Sequence, residues 1–271
     1  FTSADAPTGN WNARVKVGGT EFTQPVRIET VKPNRLKINL DFGVDKLTAE
    51  NNDISGSVQV NWLHGAPGRN LKAEFEVLLT KAVTTFQRFP DFTFDDPSRE
   101  FNSETKTIFE GYTDDAGHAT VNTTLETSES APGMLNAVFR GKAFEESGNF
   151  SIDRFSIPYY PYKSFTGIRL PAGDKARGML LTDTTHRVDV VTLDADGNPV
   201  SRDRVEMSMY KLEWRWWWDS EGEDANYMAS TFSQPVASGT VKTTNGRGNW
   251  TFRINHPEWG RYFVKAYDPV S

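Results

Sequence analysis

Residues 35–42, RLKINLDF, alternate polar and apolar side chains along the whole stretch. The apolar side chains share one face of an extended chain, because successive residues of a β-strand point to opposite sides. The same period of two returns at residues 58–62 and 71–79. Alternation of this kind is typical of antiparallel strands with one face buried and one face in water.

Turn residues separate these alternating runs, and no stretch of twelve residues carries a helical stripe. The turn segments are Gly18-Gly19, Gly65-Ala66-Pro67-Gly68, Asp114-Asp115-Ala116-Gly117, Asp194-Ala195-Asp196-Gly197 and Asn245-Gly246. Short strands with regular turn signals predict an all-β chain of tandem antiparallel β-sandwich domains, similar to immunoglobulin or fibronectin type III domains.

The pattern repeats within the chain. The turn Gly65-Ala66-Pro67 returns 132 residues later as Gly197-Asn198-Pro199, each ahead of an alternating run. Gly117 and Gly248 lie 131 residues apart, and each precedes another run of period two. We therefore predict two copies of one β-rich module, in which the later glycines hold positive φ angles at turns. A fragment of a third copy is expected first, beginning at residues 9–17.

Proline and the phase of the repeat set the expected domain boundaries. Pro33, Pro158 and Pro161 suit short, stiff linkers, since proline fixes φ and removes a backbone donor. The predicted domains are residues 1–32, the last strands of a preceding domain, and two full sandwiches at residues 33–158 and 159–271.

Composition excludes several classes of function. The chain of 271 residues has no cysteine, so it cannot supply a disulfide, a thiolate metal site or a thiol nucleophile. A net charge of −6 disfavours nucleic acid and anionic membrane surfaces as partners. No apolar run approaches the ~18 residues of a membrane-spanning helix. Because the chain opens at Phe1 within an alternating domain pattern, we expect it to be a piece of a longer polypeptide.

Two segments interrupt the strand rhythm, one in each module. Residues 84–110 contain Phe86, Phe89, Phe92, Phe94 and Phe101 among acidic side chains, and residues 219–240 are acidic and then small and polar. Long loops in compact domains are often functional or mobile. The phenylalanines predict that the first segment is a packed loop or a set of extra edge strands.

A run of tryptophans marks the second module. Trp214, Trp216 and Trp218 share one face of an extended chain, and Trp217 lies on the other. The apolar parity changes between Met209 and Tyr210, which predicts a β-bulge there. The tryptophans could form an aromatic platform for a sugar or peptide. We favour a role in the core and in a domain contact, because three large rings on one face fill a core well. Trp214, Trp216, Trp217 and Trp218 are the candidate interface residues.

Other candidate chemistry is weak. Asp194-Ala195-Asp196-Gly197-Asn198 resembles the start of a calcium loop, but the bidentate glutamate that such a loop needs is replaced by Val205. The four histidines share no metal-like spacing. Ser103 and Lys106 match an S-x-x-K pattern, without the helix and companion motifs it requires. We expect no catalytic residue, metal site or cofactor.

Several stretches of the sequence match the motifs of a known domain family. Residues 33–38, PNRLKI, and 60–67, VNWLHGAP, are similar to the opening and turn of a macroglobulin-like domain of bacterial α2-macroglobulins. Residues 162–168, 194–200 and 210–218 resemble the next such domain, and the tryptophan-rich part is the most specific. The two full units are thus similar to the fifth and sixth macroglobulin domains, upstream of the bait-region domain.

This resemblance implies a scaffold segment of a periplasmic, often lipid-anchored, broad-spectrum protease trap. Its partners would be the bait-region and thioester-type domains of the same polypeptide and, through the intact protein, target proteases. Nucleic acid and direct membrane insertion are not expected. A thioester needs cysteine, so that chemistry would lie elsewhere in the parent. The alternative function is a cell-surface adhesion or carbohydrate-binding array, and an enzyme with two facing carboxylates has the least support.

Overall fold

The computed structural model describes residues 9–28, 34–103, 105–125, 131–212 and 235–271. Within these ranges the regular elements are all β-strands. They are β1 (Gly9–Val17), β2 (Thr20–Ile28), β3 (Leu36–Asp41), β4 (Leu47–Thr48), β5 (Asp53–Trp62), β6 (Lys72–Lys81), β7 (Thr105–Tyr112), β8 (His118–Thr124), β9 (Leu135–Phe144), β10 (Phe150–Tyr160), β11 (Phe165–Arg169), β12 (Thr185–Leu193), β13 (Arg202–Leu212), β14 (Ala237–Thr243), β15 (Arg247–Arg253) and β16 (Arg261–Tyr267). The predicted all-β class is confirmed.

The first sandwich packs a three-stranded sheet, β3-β5-β8, against a five-stranded sheet, β4-β10-β9-β6-β7. On β3, alternate residues are buried and exposed, as the sequence of residues 35–42 predicts. Val58 and Val60 from one sheet and Phe75 and Phe139 from the other lie in a single apolar core. All strand pairs of this sandwich are antiparallel except the two-residue pair of β4 with β10, which is parallel.

The second sandwich packs β11-β12-β15 against β14-β13-β16. Its core combines Val188, Val190 and Trp250 from the first sheet with Met207 and Met209 from the second. Chain alternation places Val191 and Leu193 of β12 on the opposite, outer face of the first sheet. Both side chains are nonetheless buried, at 1% and 0% exposed. Something outside this sandwich must therefore cover that face.

The predicted bulge between Met209 and Tyr210 is wrong. β13 pairs with β16 in unbroken register from Glu206 to Leu212, and the irregularity of β13 lies instead between Arg202 and Val205, opposite β14. Tyr210 therefore lies on the face of β13 opposite Met209, and the change of parity reflects an apolar side chain on the outer face. The alternation of apolar residues along β13 does change at Tyr210, but the strand continues there without a bulge.

The internal repeat has a direct structural counterpart. Each proline turn is closed by an isolated bridge, Asn61 to Pro67 in the first sandwich and Leu193 to Pro199 in the second. In the first sandwich the Val60 N–H donates to the Gly117 carbonyl, and in the second the Thr192 N–H donates to that of Gly246. The counterpart of Gly117 is therefore Gly246, and the pairing with Gly248 is wrong. Gly117 and Gly246 have φ angles of 79° and 70°, whereas no positive φ occurs at Gly248.

Gly117→Val and Gly246→Val are each expected to lower the free energy of unfolding by more than ~1 kcal/mol. A Cβ at Gly117 would lie 2.4 Å from the Val60 carbonyl oxygen, and one at Gly246 would lie 2.7 Å from that of Thr192, so strain and steric overlap combine. Denaturant unfolding of each variant measures the loss. Gly65→Val is the control. Gly65 has a positive φ, but a Cβ added there would meet no atom within 4 Å, so the loss of unfolding free energy should be smaller.

A separate two-stranded sheet precedes the sandwiches. β1 and β2 pair through nine residues around Gly18-Gly19, as the expected last strands of a preceding domain would.

The division of the chain at residues 32/33 and 158/159 stays a prediction. Pro158 is not in a linker, because it lies within β10 and pairs with Asn136. Pro161 lies between β10 and β11, and Pro33 lies outside the described residues. No helix long and apolar enough to cross a membrane occurs in the parts of the chain that the structure describes.

Candidate functional site: an aromatic junction between the sandwiches

The phenylalanine-rich segment after β6 forms a closed loop. The Asp95 carboxylate accepts hydrogen bonds from the Thr84 backbone N–H at 3.2 Å and from the Thr84 hydroxyl at 2.5 Å. Thr84 Oγ1 in turn accepts a hydrogen bond from the Met134 N–H at 2.7 Å. Thr84 is only 2% exposed, so the clasp is fixed on the body of the first sandwich. Residues 84–95 therefore project as one packed unit, consistent with the packed loop that the sequence predicts.

The loop covers the outer face of the second sandwich. Phe86, Phe89 and Phe94 are buried, and they form a cluster with Phe165, Val191 and Leu193 of β11 and β12. We call these six residues the aromatic junction. Phe86 and Phe94 meet edge to face with ring centroids 4.8 Å apart, and Phe86 contacts Phe165 at 5.9 Å. The junction accounts for the burial of Val191 and Leu193.

Backbone pairing extends the second sandwich into the loop. The Thr93 N–H donates to the Ile168 carbonyl and the Ile168 N–H donates to the Thr93 carbonyl, both at 2.9 Å. Thr93 thus adds one residue to the edge of β11, which is a minimal case of recognition by strand addition. Gly167 permits this approach, since a Cβ there would lie 2.4 Å from the Phe94 ring.

Two arginines of the second sandwich bracket the aromatic loop. The Arg169 guanidinium lies 5.1 Å from the centroid of the Phe92 ring, and that of Arg247 lies 5.1 Å from the centroid of Phe89. Cation–π contacts of this kind contribute about 0.5–1 kcal/mol at exposed sites. The two arginines therefore help to orient the aromatic loop on the second sandwich, while apolar burial supplies most of the stabilisation.

Polar contacts surround the junction. Lys265 of β16 lies 3.1 Å from the Asp96 carboxylate, and the Arg99 guanidinium donates to the Tyr162 hydroxyl at 2.6 Å. Burial opposes ionisation of Asp96, but hydrogen bonds from Ser98 and the charge of Lys265 hold the pKa of its carboxyl below the ordinary value. Opposite charges from the two sandwiches therefore meet at the rim.

The rim contact should weaken in acid. The pKa of Asp96 is lower in the folded than in the unfolded chain, where it is about 3.9. Its stabilisation is therefore present above about pH 4 and is lost as the pH falls through the folded-state pKa. Asp96→Asn should melt below the wild type at pH 7, and thermal melts at falling pH should show that gap closing. Lys265→Met should reproduce part of the gap at pH 7, because the Ser98 hydrogen bonds to Asp96 remain. A gap that persists to pH 2 would contradict the assignment.

The Asp194–Asn198 stretch is a turn at this same junction. The Asp194 carboxylate accepts the backbone N–H groups of Asp196 and Asn198 at 2.8 and 2.9 Å. Asp196 is ion-paired with Lys46 of the first sandwich. Gly197 has a φ of 78°, and a Cβ there would lie 3.0 Å from the Phe86 ring. The Asp194–Asn198 segment is therefore a turn that contacts the first sandwich.

Family comparisons match the two sandwiches separately. The model of the "Bacterial Alpha-2-macroglobulin MG5 domain" matches residues 34–159, and that of "Bacterial macroglobulin domain 6" matches residues 167–271. The chain belongs to the bacterial alpha-2-macroglobulin family. The resemblance to the fifth and sixth macroglobulin domains is confirmed.

Curated relatives are similar along nearly the whole chain. The alpha-2-macroglobulin of Xylella fastidiosa (strain Temecula1) is 21% identical over 279 residues, which is 99% of this chain and 16% of that protein. The alpha-2-macroglobulin of Rickettsia conorii is 22% identical over 280 residues, covering 98% of this chain and 14% of that protein. This chain thus spans about one sixth or less of these relatives and corresponds to part of an alpha-2-macroglobulin-like protein.

Solved structures have the same fold. The native conformation of Escherichia coli alpha-2-macroglobulin matches with a TM-score of 0.60 and 20% identity, over 98% of this chain and 17% of that one. Salmonella alpha-2-macroglobulin reacted with methylamine matches with a TM-score of 0.56 and 20% identity, over 98% of this chain and 18% of that one. At 20% identity, this similarity shows a shared fold and no more.

The remaining candidate residues do not converge on a site. Trp214, Trp216, Trp217 and Trp218 lie outside the described residues, so their role as interface residues stays a prediction. In the described ranges, no group of three or more His, Asp or Glu side chains could hold a metal ion. Lys106 of the S-x-x-K pattern lies on strand β7 and donates to the Thr124 carbonyl, so the helix that the pattern requires is not formed there.

The sequence predicts the packed aromatic loop of this macroglobulin pair but not the surface of the second sandwich against which the loop packs. Five phenylalanines among acidic residues indicated packing within one module. The signals for a partner were indirect. Val191 and Leu193 are apolar on a strand face that should be wet, and Gly167 interrupts β11 where a ring must approach.

Proposed function

We propose that this chain is a non-catalytic scaffold segment of a bacterial alpha-2-macroglobulin-like protease inhibitor. Two consecutive macroglobulin domains would form one stiff unit that holds other domains of the parent in place. The observation that carries the proposal is the aromatic junction between two units that match adjacent domains of this family.

The junction supports stiffness on energetic grounds. Domain contacts within a chain are usually small and polar enough that relative motion is the default. Here three buried phenylalanines cross from one sandwich to the other, and full burial of each contributes about 1.5–3 kcal/mol. The Thr93–Ile168 pairing and the Lys265–Asp96 ion pair add directional contacts at the periphery. Free swinging of the two sandwiches would forfeit most of this stabilisation.

The proposed partners follow from the family. They are the bait-region and thioester-type domains of the parent polypeptide and, through the intact protein, its target proteases. The cysteine-free sequence supplies no thioester, so any covalent capture would come from another part of the parent. The same proposal places the parent in the periplasm or cell envelope, where a lipid anchor on the full-length protein would hold it.

The test uses the full-length parent protein. Trypsin that is trapped should keep activity on a small peptide ester and lose activity on a large protein substrate. Gly167→Val, which drives a side chain into Phe94, should abolish most of this discrimination if the stiff pair positions the trap. The control is Phe150→Ala, on the half-exposed β9–β10 hairpin away from the junction. Full trapping by a folded Gly167→Val parent would overturn the scaffold role of the junction.

A cell-surface adhesion or carbohydrate-binding array remains the alternative. It depends on the tryptophan-rich stretch at residues 214–218 and on the Asp-Gly turn, which the junction accounts for structurally. Binding to a glycan array that disappears in Trp216→Ala, with the fold intact, would favour this alternative over the scaffold.

A further inference from the structure

The connection between β11 and β12 is a long exposed loop. Residues 170–184 form no strand, and the apolar side chains within them are mostly in water. Leu170, Met179 and Leu181 are 55%, 61% and 62% exposed. Connections in compact domains are usually about 4–6 residues long, so a loop of this length needs a reason.

The tip of this loop is a self-contained turn. The Asp174 N–H donates to the Met179 carbonyl and the Gly178 N–H to the Asp174 carbonyl, both at 2.9 Å. The Asp174 carboxylate accepts the N–H groups of Ala176 and Arg177 at 2.9 and 2.7 Å. These bonds join loop residues to one another and leave the turn free to open without disturbing either sheet.

Two basic side chains stand on this turn. Lys175 and Arg177 are exposed, and within the described part of the chain neither takes part in an ion pair. Two exposed arginines in other described turns, Arg69 and Arg88, are less accessible through their backbone. Arg69 lies in a short turn bonded to β5, and Arg88 lies between Phe86 and Phe89, which are buried in the aromatic junction.

Both ends of the loop are held in the second sandwich. Arg169 pairs with Asp189 across β11 and β12, and the two side chains form an ion pair at 2.7 Å. At the other end, the Asp183 N–H donates to the Ile254 carbonyl at 2.8 Å. A break at the tip would therefore leave the sheet intact and both halves of the chain in place.

We propose that residues 175–178 are a cleavage site for proteinases that select a basic side chain before the scissile bond. Exposed loop tips are preferred sites of nicking, and trypsin binds the basic side chain through a carboxylate in its specificity pocket. Water adds across the Arg177–Gly178 or Lys175–Ala176 amide, so the C–N bond breaks, the carbonyl carbon gains hydroxyl and the nitrogen gains a proton. The site goes beyond the proposed scaffold function and does not rest on it.

Limited digestion of the 271-residue chain with trypsin tests the site. We expect mass spectrometry to place the first cut after Lys175 or Arg177, and gel filtration to show both fragments eluting together. Lys175→Gln combined with Arg177→Gln should slow the first cut at least about tenfold, while Arg69→Gln should leave it unchanged. Asp174→Ala removes the carboxylate from the turn and should speed cutting roughly fivefold, the effect of losing about one capping interaction.

Three results would overturn the proposal. They are a first cut elsewhere in the chain, an unchanged rate in the double variant, and fragments that separate without denaturant. Matching thermal melts of the uncut variants ensure that differences in rate arise at the loop. Trapping by the full-length parent is measured separately, so failure of this site would leave the scaffold proposal standing.

Discussion

Replacement of Phe86 by alanine is expected to lower the free energy of unfolding by about 3–5 kcal/mol, as for other buried aromatic truncations. Phe86 is 7% exposed and contacts Phe94, Phe165 and Tyr160, so it connects residues of both sandwiches. The cavity would open where the aromatic loop meets β11, and the two sandwiches would lose much of their mutual stabilisation.

Differential scanning calorimetry separates loss of coupling from general loss of stability. The wild-type sandwiches should melt as one cooperative unit, and Phe86→Ala should split that transition into two. Phe150→Ala is the matched control because its ring is half exposed, and it should keep a single transition. A Phe86→Ala chain that melts in one transition at the wild-type temperature would show that the junction does not couple the sandwiches.

Asp268→Leu is expected to cost about 3–5 kcal/mol, because it leaves a buried cation without its partner. Arg202 Nε lies 2.7 Å from the Asp268 carboxylate, and their side chains are only 16% and 2% exposed. Ser164 joins the same network, donating to Asp268 at 2.9 Å and accepting from Arg202 at 2.7 Å. The network connects the start of β13, the end of β16 and the segment before β11.

Denaturant unfolding measures this loss, and the chain offers an exposed comparison. Asp203 and Lys242 form an ion pair at 2.8 Å with side chains 92% and 69% exposed, so Asp203→Leu should leave the unfolding midpoint nearly unchanged. Arg202→Met combined with Asp268→Leu should recover much of the loss, because both charges are then removed. Equal midpoints for the two single Asp variants would show that burial does not strengthen the Arg202–Asp268 interaction.

The sequence by itself determined the strands and the repeat. Alternation at residues 35–42 predicted which side chains of β3 are buried, because strand geometry turns a period of two into two faces. The proline turns at Pro67 and Pro199 predicted equivalent positions in two copies, and both are closed by the same bridge. These features depend on near neighbours, so local patterns were sufficient.

Tertiary structure alone decided which glycine is equivalent and where the aromatic loop packs. Gly246, and not Gly248, is equivalent to Gly117. The Gly246 carbonyl accepts the hydrogen bond from the Thr192 N–H, as the Gly117 carbonyl does from the Val60 N–H. Phe86 and Leu193 are far apart in sequence, and no periodicity links them. They share one buried cluster because of how the two sandwiches are placed in space, which a local sequence pattern cannot encode.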